Sequence, residues 1–123
     1  MFEGLINTAG PGTPLALRGR GLNTRLVLRA GTRDTMVTIT QGAVTTVQTG
    51  PFVMPPFDLR IAADVADWAA FLAPAPAPGT HDIMALLRRG RMQFEGNLQP
   101  LMANLLYFKL MLASLRPTTG VTA

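Results

Sequence analysis

Between residues 24 and 49 the chain runs through three seven-residue segments, TRLVLRA, DTMVTIT and AVTTVQT, with only short connections between them. In the first, Leu26 and Leu28 fall on one face and Arg25 and Arg29 on the other, the period of two of a half-buried strand. The second repeats the pattern with Val37 and Ile39, and a Gln41-Gly42 turn leads into the third. Successive segments this rich in Val, Ile and Thr predict an antiparallel meander. The chain must therefore bury one face of a sheet.

Residues 57–115 supply two more strands and the helices to cover that face. After a loop holding Pro51, Pro55 and Pro56, FDLRIAA (57–63) sets Phe57, Leu59 and Ile61 against Asp58 and Arg60 as a fourth strand. Asp64 is placed to cap a helix DVADWAAFL, with Asp67 in its first turn and Val65, Trp68, Ala69 and Leu72 at helical spacing. APAPAPG (73–79) ends that helix as a surface arch. A second short helix is expected from Thr80, as cap, to about Arg89, where Arg88 and Arg89 suit its last turn and Gly90 stops it. RMQFE (91–95) is the fifth strand, Met92 and Phe94 inward. Gly96 permits a turn, Asn97 can cap, and Pro100 fits a first helical turn.

Residues 98–115 predict one very apolar helix, with Leu98, Leu101, Met102, Leu105, Phe108, Leu112 and Leu115 in a stripe and Leu106, Tyr107, Leu110 and Met111 off it. Lys109 lies at the edge of the stripe. The surplus apolar surface has to meet another element, a partner or an apolar ligand. At the other end, residues 1–22 support a short helix around Phe2–Thr8 and then an irregular approach.

A chain of 123 residues, 48% hydrophobic and 15% charged, fits one folded domain spanning 1–123. Arg18, Arg20, Arg25, Arg29 and Arg33 all precede Asp34, so the first part is locally basic and could attract phosphates or anionic head groups. No helix-turn-helix, zinc-finger or aromatic-flanked basic pattern accompanies them, and no nucleic-acid partner is expected. The absence of cysteine excludes disulfides, thiolate catalysis and Cys-ligated metal, and fits a cytoplasmic setting. The N-terminus lacks the pattern of a signal peptide, and residues 98–115 fall short of the ~20 apolar residues of a membrane span.

The side chains for catalysis are scarce. Ser114 and His81 are the only residues of their kinds, and neither lies at a strand-to-helix elbow where a triad nucleophile would sit. One His without Cys cannot supply the usual zinc set. Asp64 and Asp67 are accounted for by capping and the helix dipole, and Gly19-Arg20-Gly21 lacks the Lys and hydroxyl of a P-loop. The expectation is a non-catalytic protein without metal or cofactor. Its large and adaptable side chains, Trp68, Phe71, Phe94, Met92, Met102, Phe108 and Met111, suit either a filled core or the lining of an apolar cavity.

The order of elements, closed by LLRRGRMQFEGNLQPLMANLL, resembles the sterol carrier protein family of the second type, the non-specific lipid-transfer fold, over roughly residues 24–115. Gly96-Asn97 stands where that family has Gly-Asp or a similar pair before its C-terminal helix. The resemblance implies an α+β fold, a five-stranded mixed sheet with helices on one face. It also implies an apolar tunnel for fatty acyl chains, acyl-CoA, polyprenyl or sterol-like lipids. Carried across, Leu101, Met102, Leu105, Phe108 and Leu112 would face the tunnel, Trp68, Phe71 and Phe94 would line its other sides, and Lys109 could meet an acidic head group. The family's long N-terminal helix is poorly supported by LINTAGPGTP. Two readings stay open: a lipid carrier, which would touch membrane surfaces only transiently, and an accessory module that docks on an enzyme or on a second copy through its last helix.

Overall fold

The computed structural model describes residues 2–50, 57–76 and 78–116. Pro51, Pro55 and Pro56 of the expected loop, and Ala77 of the proline arch, lie outside them. Five strands, β1 (Thr24–Ala30), β2 (Arg33–Thr40), β3 (Ala43–Thr49), β4 (Leu59–Ala63) and β5 (Met92–Gly96), form one sheet in the order β3-β2-β1-β4-β5. The meander β1–β2–β3 is antiparallel, β4 runs parallel to β1, and β5 returns antiparallel to β4, so the sheet is mixed, as expected. Gln41 at φ 52 and Gly42 at φ 82 make the turn between β2 and β3.

Alternation fixes which face is covered. Cross-strand register aligns Leu26 with Val37 and Leu59, and Leu28 with Ile61, and all five are fully buried. They form one core with Trp68, Phe71, Leu101, Phe108 and Leu112 from the helices on that face. The opposite face carries charge pairs. Arg29 donates to Asp34 across β1 and β2 at 2.7 Å, and Arg60 to Glu95 across β4 and β5. Val27 belongs to that charged face by register yet is fully buried.

The helices are α1 (Leu5–Thr8), α2 (Pro14–Arg18), α3 (Val65–Phe71), α4 (Ile83–Arg88), α5 (Gln99–Ala103) and α6 (Leu105–Ala113). Several depart from expectation. The approach expected to be irregular after the first short helix contains α2, where the Thr13 hydroxyl accepts from the Ala16 N–H. Asp64 precedes α3 but makes no side-chain cap. On that helix Trp68 and Phe71 are the buried residues, whereas Val65 and Ala69 are exposed. The second short helix starts three residues later than expected, at Ile83, because Asp82 rather than Thr80 accepts from the Met84 N–H.

The largest correction concerns residues 98–115, which form two helices and not one. At Asn104 (φ −124, ψ 34) the backbone leaves the helical region, while its side-chain amide donates to the Pro100 carbonyl at 3.0 Å. A short amide side chain that bonds a carbonyl one turn back offers the backbone an alternative to helix continuation. The break resets the phase: α5 buries Leu101, and α6 buries Tyr107, Phe108, Met111 and Leu112. Tyr107 and Met111, expected off the stripe, are thus core residues.

Tyr107 also fastens the N-terminal layer. Its hydroxyl donates to the Gly42 carbonyl at 2.6 Å, and its ring lies where a side chain at residue 19 would be. A Cβ on Gly19 would come within 2.6 Å of the Tyr107 ring, so Gly19→Ala is expected to cost roughly 1–3 kcal/mol, measurable by urea unfolding. Burial pushes the Tyr107 phenol up from 10.0 to about 12. The folded state holds the neutral form, so this contribution to stability is complete below pH 10.0 and is lost as pH rises towards 12. Tyr107 is the only tyrosine. Its phenolate absorbance is therefore expected to appear late and together with alkaline unfolding, and a free titration near 10.0 with the fold intact would contradict the buried bond.

Candidate functional site

The core-facing surface of the sheet thins at one end. In its middle it presents Leu26, Val37, Val47 and Leu59, but toward the end of the β1–β2 hairpin the same face carries Ala30, Thr35, Thr49 and Ala63. Small side chains there leave room between sheet and helices. Phe2 drops over the gap, buried, with its ring edge-on to Trp68 at a centroid distance of 4.9 Å. Between Phe2, the small strand residues and Val65 at the start of α3 remains a pocket of about 240 Å³.

Its walls are apolar or hydroxylic and its rim is charged. Ala30, Thr35, Thr49, Phe2 and Val65 line it, with Arg33 and Glu3 at the edge. Arg33 shares the register pair with Ala30 and so lies on the same side of the sheet. Among the described residues no carboxylate is paired with Arg33, in contrast to Arg25, which pairs with Asp58, and Arg29, which pairs with Asp34. The back wall is held rigidly: the Trp68 indole N–H donates to the Arg29 carbonyl at 2.8 Å, and Phe71 meets Trp68 edge-on at 6.0 Å.

The nine residues expected to bind a ligand are not arranged as one open wall. Trp68, Phe71, Leu101, Phe108 and Leu112 are buried in the common core, with Phe94 and Leu105 partly buried against it. Met102 is a correction. It is exposed, because the stripe that placed it inside was drawn on a single helix and α5 has a phase of its own. Lys109 pairs with Asp82 at 3.2 Å, tying α6 to the start of α4. Leu105 borders an open groove with Arg18, Leu106 and Tyr107. Of the pocket residues, sequence reasoning singled out Arg33 alone, as one of five arginines that could attract an anionic head group, and none of the residues that line the apolar walls. The signal existed, since the inward positions run from Leu28 to Ala30, from Val37 to Thr35 and from Val47 to Thr49.

The scarce polar candidates have structural partners. The Ser114 hydroxyl bonds Thr8 at 2.8 Å and the Met111 carbonyl. The His81 ring nitrogen Nδ1 accepts from the Gly79 N–H at 3.2 Å. Asp67 accepts from Arg91 at 3.1 Å, joining α3 to the start of β5. Among the described residues no group of three or more His, Cys, Asp and Glu could hold a metal ion, and no helix is long and apolar enough to cross a membrane.

Neither protein-family models nor curated proteins match the sequence. Solved structures do. A crystal structure of sterol carrier protein 2 aligns with a TM-score of 0.76 at 14% identity, covering 95% of this chain and 94% of that one. A UbiJ-SCP2 ubiquinone synthesis protein aligns at 0.57 with 17% identity, covering 89% and 90%. Palmitated SCP2L2 from Aedes aegypti aligns at 0.55 with 18% identity, covering 89% and 86%. The chain has the sterol carrier protein 2 fold, as its sequence resemblance implied.

Proposed function

We propose that this protein is a cytoplasmic, non-catalytic carrier of an amphiphile, an acyl-type tail with an anionic head. The observation that carries the reading is the apolar pocket at the thin end of the sheet, with Arg33, which pairs with no carboxylate among the described residues, at its mouth. Similarity of fold to sterol carrier protein 2 and to a palmitated relative supports it. A tail would enter between Phe2 and Val65 and press towards Trp68 and Phe71, while the head would stay at the rim beside Arg33. The whole chain would serve as one such binding domain.

Size sets how this must work. The pocket of about 240 Å³ is below the ~300–1,000 Å³ usual for ligand sites. A short tail fits the space as it stands; a long one has to swing Phe2 off Trp68 and occupy its place. Phe2 is then a stopper that cargo displaces, and Leu101, Phe108 and Leu112 are the core against which the tail packs.

Native mass spectrometry of freshly purified protein, with extraction of bound lipid, is expected to find an acyl-bearing amphiphile. Protein that emerges empty and also fails to take up fatty acids on titration refutes the reading. Trp68 is the only tryptophan, so its emission is expected to change as fatty-acid chain length grows beyond what the unaltered pocket holds. Arg33→Glu is expected to weaken binding of a carboxylate amphiphile on the order of tenfold, through loss of one charge-assisted contact, while sparing the alcohol of equal chain length. Ala30→Leu should fill the pocket, leaving the melting temperature unchanged or higher while blocking uptake.

A further inference from the structure

We infer that the cargo of the apolar pocket carries a hydroxyl close to its anionic head, and that Thr35 selects for it. The inference rests on the carrier reading and narrows it to β-hydroxy acyl amphiphiles. Thr35 stands on the core-facing side of β2, in register with Leu28 of β1 and Thr49 of β3, and is only 5% exposed. Both threonines line the pocket. Residues directly opposed on neighbouring strands have Cβ atoms about 4.5–5.5 Å apart, so the two hydroxyls can hold one oxygen between them.

Among the described residues neither hydroxyl meets a hydrogen-bonding partner, whereas Thr13 donates to the Gly10 carbonyl at 2.7 Å and Thr45 to the Thr38 carbonyl at 3.3 Å. Thr49 is exposed at the sheet edge and can turn to solvent. Thr35 is buried and cannot. A plain alkyl tail laid over Thr35 would strand its hydroxyl in apolar surroundings, at a cost in binding. A hydroxyl on the cargo removes that cost, because each group can both donate and accept. Hydrocarbon alone would be served by valine, which has nearly the same shape. One step inward on the same two strands the cross-strand pair is indeed Val37 with Val47.

The position of the cation sets where along the cargo the hydroxyl must lie. Arg33 precedes Thr35 by two residues, so the two share a side of the sheet and stand about 6–7 Å apart along β2. With the head held by Arg33 at the mouth, the first few carbons pass Thr35 before the tail reaches Trp68. A hydroxyl on the β-carbon comes within reach of Thr35. One at the far end of the tail would lodge against Phe2 and Trp68, whose single polar side-chain group, the indole N–H, is already donated to the Arg29 carbonyl at 2.8 Å.

Isothermal titration calorimetry of the full chain with decanoate, both enantiomers of its β-hydroxy derivative and its ω-hydroxy derivative tests this. The better β-hydroxy enantiomer is expected to bind on the order of tenfold more tightly than decanoate, the effect of about one satisfied hydrogen bond, and the ω-hydroxy acid no more tightly than decanoate. Thr35→Val should bring the ratio of β-hydroxy to plain acid close to one. Thr35→Ser, which keeps the hydroxyl, should preserve most of it. Thermal unfolding of each variant verifies that the ratio is read on folded protein. Decanoate bound by the parent as tightly as both β-hydroxy enantiomers overturns the inference and leaves the carrier reading standing. A preference that survives Thr35→Val, or that the ω-hydroxy acid shares, overturns it as well, because the hydroxyl would then be held elsewhere. Failure to take up any of these acids removes the carrier reading and this inference with it.

Discussion

The parallel pairing of β1 with β4 is the constraint on which the rest of the molecule depends. The meander and the β4–β5 pair are distant halves of the chain, and this one ladder joins them into a sheet. Its register puts Leu26 beside Leu59 and Leu28 beside Ile61. A slip by one residue would set Arg25 and Arg29 among the core residues, so the alternation in each strand forbids it. The ladder is also locked at both ends. Asp58 donates its N–H to the Arg25 carbonyl and accepts the Arg25 N–H on its carboxylate, each at 2.9 Å, and the Gly31 N–H bonds the Ala63 carbonyl at 2.9 Å.

That pairing determines where the first long side chain after β4 arrives. With α3 starting at Val65, Trp68 comes down over β1 and reaches the Arg29 carbonyl. The indole becomes a wedge between two unlike ends of the sheet–helix seam. On the Phe71 side the seam is clamped by Arg116, which donates to the Phe71 carbonyl at 2.8 Å and lies 4.5 Å over the Phe71 ring. On the Phe2 side the sheet offers only Ala30, Thr35 and Thr49, and space remains. A closed end and a thin end arise from one tryptophan and a change of side-chain size along three strands.

The strands are legible in the sequence because a period of two survives in short segments and the turns carry their own residues. β1 and β3 coincide with TRLVLRA and AVTTVQT, and β2 begins one residue before DTMVTIT. Helices are less legible, for reasons that differ case by case. α2 escapes pattern reading because PLALR is a single turn among glycines, stabilised by the Thr13 cap and by contact with α6 and not by any periodic stripe. The break at Asn104 is hidden because apolar residues continue on both sides of it, and nearly any phase looks amphipathic when most positions are Leu, Met or Phe. The site is hidden for a related reason. Large side chains draw attention as lining, yet here they fill the core, and the pocket lies where small ones leave it unfilled.

Charge gives the clearest division between the two faces of the molecule. Among the described residues, Arg25, Arg29, Arg60, Arg91 and Lys109 each pair with a carboxylate, and six other cations do not. Of those six, Arg89 and Arg116 donate to backbone carbonyls, and Arg88 lies in the last turn of α4, where the dipole favours a cation. Arg18, Arg20 and Arg33 remain without a carboxylate partner among the described residues. Two border the open grooves of the helical layer and the third the mouth of the apolar pocket. The uncommitted positive charge therefore sits beside apolar surface, the pattern expected of a protein that meets molecules apolar at one end and anionic at the other.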